Sequence, residues 1–385
     1  MLDFELCVPT KIFFGRGRTD ALGGIVADYG FRRPLICYGG GSAVKTGLLE
    51  RVERSLRSAG LDYAVLGGVQ ANPTLDFCVK TAEYARSERC DILLAVGGGS
   101  VIDNAKMAAH CVKTGRDPWE YIEKKVSPTD SLPVGVLLTI AATGSETSDS
   151  AVLTNTAAGV KRGLSCDENR PLFAVLDPEL SFTLPPYQTA CGVVDILMHT
   201  MERYMCTNED NDLVDELSEG LLRSVIAAGR TAIEKPEDYE ARATLMFAGG
   251  LSHNGLTGAG RKCGLWAHKL EHEMSAMDDR IAHGAGLAVI WPAYLEFFRR
   301  RGLFTERLER YAEKIWGAAG AEAGIEKTKE YFRALGMPQR LSDFGLTAED
   351  AEYMSRRCTG NGSLSFPSVI DLGMDEVREI YALCL

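Results

Sequence analysis

The chain has 385 residues, enough for two domains, and an ordinary globular composition of 45% hydrophobic and 25% charged residues. Its formal charge of −11 sets aside nucleic acid and anionic membranes as partners, since both require clustered Lys and Arg. The eleven cysteines include no C-x-x-C pair and fall mostly in apolar runs, so they read as small reduced core residues of a reducing compartment.

The opening MLDFELCVPTKIFFG has no basic stretch followed by an apolar one, and no apolar run approaches the length of a membrane span. A cytoplasmic location is the default expectation. Lys11 to Phe14 reads as an ordinary strand, with edge pairing across a dimer as the alternative. Pro34 to Tyr38 is an apolar strand followed by Gly39-Gly40-Gly41-Ser42 and a helix through Leu48, Val52 and Leu56. Tyr63 to Leu66 is a second strand. Ile92 to Val96 is a third, running into Gly97-Gly98-Gly99-Ser100 and a helix with Ile102, Ala105 and Met107. Val134 to Leu138 is a fourth, followed by Thr139-Ile140-Ala141-Ala142-Thr143-Gly144-Ser145-Glu146. Residues 151–177 look β-rich and irregular, closing on Phe173 to Leu176. From Gln188 the periodicity is helical almost to Leu385, with breaks at Lys235-Pro236 and Gly336-Met337-Pro338. With a boundary at Pro185-Pro186, residues 1–186 are expected to form an α/β dinucleotide-binding domain and residues 187–385 an all-helical metal-binding and substrate domain.

A strand ending in Gly97-Gly98-Gly99-Ser100 at a helix start suits a phosphate, because glycines permit close backbone approach and the helix N-terminus offers free N–H groups. The same run also reads as a tight strand-to-helix turn. The Rossmann fingerprint G-x-G-x-x-G is absent there, and Gly15-Arg16-Gly17 lacks its third glycine. Thr139 to Glu146 offers hydroxyls for phosphate or ribose, or is simply a hydroxyl-capped loop. Two such loops on neighbouring strands suit a nucleotide. An NAD-selecting site places an acidic residue after a strand. Here Gly39, Gly40, Gly41 and Ser42 stand after Pro34 to Tyr38 with Lys45 nearby, and nothing repels a 2′-phosphate, which favours NADP(H).

Of the six histidines, His199 stands four residues after Asp195 in a helical stretch, and His272 four after His268. His283 opens the segment His283-Gly284-Ala285-Gly286. A carboxylate with imidazoles at this spacing is a credible donor set for Fe(II) or Zn(II). His110 and His253 lack comparable partners and read as structural. Asp103 and Glu146 each follow a nucleotide-type loop and are not assigned to metal; Asp103 is counted with the cofactor residues.

Quoted in order, PTKIFFG from Pro9, Tyr38 to Ser42, Asn72-Pro73, Ala95 to Asp103, Ala142 to Glu146, Val175 to Pro178, Gly192 to Asp195 with His199, and His272 to Met277 before His283-Gly284 resemble the iron-containing (group III) alcohol dehydrogenases. The NADPH-dependent butanol dehydrogenase and broad aldehyde reductase branch is the most similar. The resemblance covers nearly the whole chain and implies the dehydroquinate synthase-like fold of that family, a metal in the cleft between its domains, and a homodimer. It implies Asp195, His199, His268 and His283 as the metal ligands and His272 as a proton relay. For the cofactor it implies Gly99 and Ser100 beside Gly98 at the pyrophosphate, Thr139 and Thr143 in the hydroxyl loop, and Asn72, Ser148 and Lys161. Gly40 occupies the position of the NAD-selecting Asp of other branches. Ile140 replaces a second Thr of some relatives, and family members also use zinc. The expected substrates are small primary alcohols and aldehydes, with Leu265 and Trp266 among pocket candidates.

Three rivals share the fold. A polyol dehydrogenase would favour NAD and an acidic residue after the second strand. A dehydroquinate synthase-like lyase needs a basic cluster that the stretch Trp266 to His283 does not show. A maleylacetate reductase-like enzyme stands beside them. A non-catalytic metal or nucleotide sensor would usually show a lost ligand or a broken glycine loop.

Overall fold

The computed structural model describes residues 1–205 and 211–385, so Cys206 lies outside the described residues. The chain divides into two compact units, one of Cys7–Thr183 with Glu237–Asn254, the other of Met1–Leu6, Leu184–Pro236 and Gly255–Leu385.

In the first unit a six-stranded sheet is formed by β1 (Lys11–Phe14), β2 (Pro34–Tyr38), β3 (Ala64–Gly67), β4 (Ile92–Gly97), β5 (Val134–Leu138) and, after the hairpin β6 (Ser150–Asn155) and β7 (Val160–Ser165), β8 (Phe173–Leu176). Its order is β1-β8-β5-β4-β2-β3, and every pairing in it is parallel. Parallel strands are buried on both faces, which is why they read as continuous apolar runs. Leu35, Leu93, Ala95 and Val136 face one core, while Ile36, Leu94, Val96 and Leu137 face the other.

The helices of this unit are α1 (Leu22–Asp28), α2 (Ser42–Lys45), α3 (Leu48–Ser58), α4 (Leu75–Ser87), α5 (Gly99–Thr114) and α6 (Pro118–Ile122). α1 and α3 cover one face through Ile25, Val26, Val52 and Leu56. α4 and α5 cover the other through Cys78, Ala82, Ile102 and Ala105. The single helix expected after β2 is two, because Gly47 takes φ +74° between α2 and α3. The chain leaves β2 for β3 in one direction and then crosses back to β4 on the opposite side of β2. That reversal creates a topological switch point at the carboxyl ends of β2 and β4, where open α/β sheets bind ligands.

The second unit carries α7 (Pro186–Tyr204), α8 (Asp212–Glu234), α10 (Trp266–Met277), α11 (His283–Arg300), α12 (Thr305–Trp316), α13 (Ala321–Ala334), α14 (Ala348–Cys358) and α15 (Met374–Ala382), with α9 (Tyr239–His253) set apart from them. α7 starts with Pro186 at its first position, where a missing N–H is harmless. α8 ends before Lys235-Pro236 and α13 before Gly336, as the breaks predict. Two corrections arise. A short antiparallel pair, Phe366–Pro367 with Asp371–Leu372, interrupts the helices. The expected continuous domain 187–385 does not anticipate α9, which groups with Cys7–Thr183, where Met246 joins the sheet core.

The ten described cysteines are all free thiols. Six are buried, but Cys7 and Cys263 are exposed, contrary to the reading of all as core residues. No helix among the described residues is long and apolar enough to cross a membrane.

Candidate metal centre and nucleotide-binding loops

The spacing that placed Asp195 and His199 on one helical face does so on α7, and both are buried. α10 contributes buried His268 and α11 begins with His283. Asp195 Oδ1 lies 3.6 Å from His199 Nδ1, 3.5 Å from His268 Nε2 and 3.7 Å from His283 Nε2. Donor atoms about 2.1 Å from a shared tetrahedral centre stand about 3.4 Å apart, so these separations suit one divalent ion. Asp195 Oδ1 and His268 Nε2 are buried with no hydrogen-bond partner. Leaving such atoms orphaned is unfavourable unless something accepts their lone pairs, and a cation does so. The residues fit a metal.

Two carboxylates that the sequence reading passed over complete the arrangement. The Nδ1–H of His268 donates to Glu202, and that of His283 donates to Glu271. Each bond leaves Nε2 as the outward lone pair, the carboxylate–imidazole device that orients metal-binding histidines and raises their basicity. Glu202 also accepts the Ala267 N–H at 2.7 Å and the His268 N–H at 3.2 Å, so it caps the start of α10 and aims the ring together. Helical spacing could have found Glu202, three residues after His199. Glu271 meets His283 only through packing.

That packing depends on glycine. A Cβ on Gly284 would stand 2.1 Å from the Cys191 carbonyl oxygen, and one on Gly286 would stand 2.7 Å from Glu271 Cγ. α11 therefore seats directly on the α7 backbone, which brings His283 to Asp195. His272 is half-buried with its ring centroid 5.4 Å from that of His283, and it also forms a cluster of possible donors with Glu271 and His283. His110 is structural as expected, bonding Asn169 Oδ1 through Nε2 at 2.9 Å.

Burial disfavours a charged His268, yet the Glu202 carboxylate, and with it Asp195, outweighs this and holds its pKa up to about 9 in the metal-free protein. A ligand must be neutral at Nε2, so metal uptake displaces this proton. Apparent metal affinity should therefore fall about tenfold per pH unit as pH drops below about 9, and level off above it. Chelator competition from pH 6 to 10 checks this; an affinity flat between pH 7 and 9 contradicts it.

In the α/β unit, β4 and β5 are adjacent, with Gly97 opposite Leu138, so the Gly97 to Ser100 and Thr139 to Glu146 loops leave neighbouring strands. α5 starts at Gly99 with Gly98 as its cap, which leaves its first N–H groups without helical partners. A Cβ at Gly98 would stand 2.3 Å from Ile140 Cγ2, and one at Gly99 2.4 Å from Thr143 Oγ1. The glycines let the two loops touch. Gly39 packs near the first turn of α5, 3.6 Å from Val101 Cγ2 by the same measure. Gly40 and Ser42 are exposed beyond β2. Lys161 on β7 donates to Asn72 Oδ1 at 2.8 Å, so these two candidates form one pair.

Behind the loops lies a buried polar network. Asp103 accepts from Ser145 Oγ at 2.6 Å and from the Val152 N–H at 3.0 Å, so both its oxygens are engaged within the protein. Lys106 donates to Ser145 Oγ and to the carbonyls of Ser148 and Ser150. Burial pushes the Lys106 amine down to about 8 and the Glu146 carboxyl up to about 7. Ser148 is held in this network, its Oγ 3.4 Å from Lys106 Nζ. Lys106 escaped the sequence reading because a lysine on a helix is ordinarily solvated.

A parallel α/β unit with glycine loops at its switch point, and a helical unit with a carboxylate–imidazole cluster, suit a metal-dependent enzyme that uses a nucleotide. The comparisons agree: residues 9–178 match the model "Iron-containing alcohol dehydrogenase" and residues 189–384 match "Fe-containing alcohol dehydrogenase family, C-terminal". The chain belongs to the iron-containing alcohol dehydrogenase family. It is 37% identical to NADH-dependent butanol dehydrogenase A of Clostridium acetobutylicum over 99% of both chains. It is 35% identical to the NADPH-dependent aldehyde reductase YqhD of Escherichia coli, again over 99% of both. The crystal structure of NADH-dependent butanol dehydrogenase A from Thermotoga maritima superposes with a TM-score of 0.94 at 36% identity, covering 100% of this chain and 99% of that one. The protein is accordingly an alcohol/aldehyde oxidoreductase of butanol dehydrogenase type, from a family that works with NAD(P)H and a divalent metal such as iron.

Proposed function

We propose that this enzyme interconverts small primary alcohols and aldehydes with NADP(H), using Fe(II), or alternatively Zn(II), held by Asp195, His199, His268 and His283. The observation that carries the reading is the convergence of three imidazoles on Asp195 Oδ1, two of them backed by carboxylates. When bound, the metal supplies Lewis acidity toward a carbonyl or alcohol oxygen and the nicotinamide supplies or accepts hydride. Glu202 and Glu271 keep His268 and His283 in the tautomer that presents Nε2. Gly98, Gly99, Ser100, Thr139 and Thr143 offer N–H and hydroxyl donors to the pyrophosphate. Asp103 and Ser148 brace those loops, and Asn72 and Lys161 approach the nucleotide as a pair. His272 holds the proton exchanged with the substrate oxygen. A homodimer belongs to the same reading.

Chelator-stripped protein reloaded anaerobically with Fe(II) should oxidise NADPH with butanal, with NADH and Zn(II) run in parallel. Failure of every metal and cofactor pairing would sink the reading. His272→Ala should lower kcat about 10²-fold while bound metal stays unchanged, as loss of a proton donor does. Parallel loss of metal would make His272 a ligand instead.

Cofactor choice rests on Gly40. Nothing lies within 4 Å of where its Cβ would stand, so a carboxylate fits there and would repel a 2′-phosphate. Gly40→Asp should shift the NADPH-to-NADH ratio of kcat/KM toward NADH by roughly tenfold to a hundredfold. An unchanged ratio refutes this account. A second reading, preference for NADH, is favoured by the names of the butanol dehydrogenase relatives, and the parallel assay decides between them.

A further inference from the structure

A groove between α11 and α13 lies within the helical unit, lined by neither the candidate metal ligands nor the nucleotide loops, and it encloses about 470 Å³. That volume falls among those of small-molecule sites. Its floor is apolar, made by Ala288, Val289, Pro292 and Ala293 of α11 with Ile325 of α13 and Leu383. Pro292 sits inside α11 and has no N–H, so the Ala288 carbonyl lacks its helical donor on this stretch.

The rim is different. Five basic and three acidic side chains line the groove together with Leu385 and its terminal carboxylate, which leaves a small excess of positive charge on a chain whose formal charge is −11. Glu296 pairs with both Arg299 and Arg300, at 2.6 and 2.7 Å, Glu322 also approaches Arg299 at 3.9 Å, and Glu326 pairs with Lys329 at 3.3 Å. Arg333 and Arg340 form no ion pair with any described carboxylate. Two unneutralised guanidiniums above an apolar floor ask for a ligand with an anionic head and an apolar body. A guanidinium fork meets carboxylate and phosphate oxygens in matching geometry.

We propose that this groove is a second ligand site, which binds a small amphipathic anion with its carboxylate or phosphate on Arg333 and Arg340 and several carbons along α11. The ligand would pack on the helix whose first residue is His283. The inference stands apart from the reading of the redox site.

Isothermal titration of the metal-loaded protein with octyl phosphate and with octanoate tests it, using inorganic phosphate and octyltrimethylammonium as controls. The double variant Arg333→Gln/Arg340→Gln alters only exposed side chains, and Ala293→Trp fills the floor. Either change should weaken binding of the organic anions by at least about tenfold, the effect of losing charge-assisted hydrogen bonds or the cavity itself. Binding should persist in Asp195→Ala. If only one of the two anions binds, its head group is the one the site takes. No binding of either anion overturns the proposal. So does binding indifferent to the arginine pair, binding matched by inorganic phosphate or the cation, or binding lost in Asp195→Ala, which would place the ligand at the metal cluster.

Discussion

Asp195→Ala is expected to leave a folded protein that binds little metal and turns over at least about 10³-fold more slowly, since a Lewis acid contributes several kcal/mol to stabilising developing charge. Asp195 Oδ1 is the atom on which the three imidazoles converge, at 3.5 to 3.7 Å. Removing it leaves three neutral donors and no negative charge facing the cation. Glu202→Gln should produce a graded form of the same defect, lowering metal affinity about tenfold to a hundredfold, because it perturbs the orientation and basicity of His268 without removing a donor. Metal analysis beside steady-state kinetics reads both. If Asp195→Ala retains full metal and activity, the centre lies elsewhere.

The second large effect concerns a residue with no chemistry of its own. Gly284→Ala should destabilise the fold by roughly 1–3 kcal/mol and release much of the bound metal. The three atoms nearest an added Cβ are the Cys191 O, C and Cα, at 2.1, 2.7 and 2.8 Å. All belong to the backbone of α7 and cannot swing aside as a side chain would. α11 must lift, and His283 lifts with it. Gly220→Ala is the control: nothing lies within 4 Å of its Cβ, and alanine is the better helix former by about 1 kcal/mol. Thermal melts and metal content of the two variants, measured side by side, check the contrast. Equal behaviour would mean that α11 is not seated through Gly284.

Much of the architecture was legible because its signals are local. Five-residue apolar runs such as Pro34–Tyr38 and Val134–Leu138 became strands with those bounds. Lys11–Phe14 proved to be an edge strand of its own sheet, paired with β8. Less local features were missed. Gly47 divides α2 from α3 because its left-handed φ ends one helix and starts another, a detail that amphipathic spacing overrides on paper. α9 reads as one more helix of a helical half, and only the packing of Met246 assigns it to the sheet unit.

The candidate site divides in the same way. Spacing of i, i+4 settles by helix geometry alone that Asp195 and His199 share a face of α7. Glycines after strands announce close approach, and Gly98 and Gly99 are indeed where the two loops meet. Yet the partner of each imidazole depends on residues distant along the chain: His268 on Glu202, and His283 on Glu271. The same holds for the burial of Lys106 and the unpaired arginines of the α11–α13 groove. Periodicity, caps and turns are properties of neighbouring residues, so the sequence by itself determined most of the elements, the family and the donor types. Which donors meet, which carboxylates aim them, and which charges are left without partners are properties of packed surfaces, and these only the tertiary structure decided.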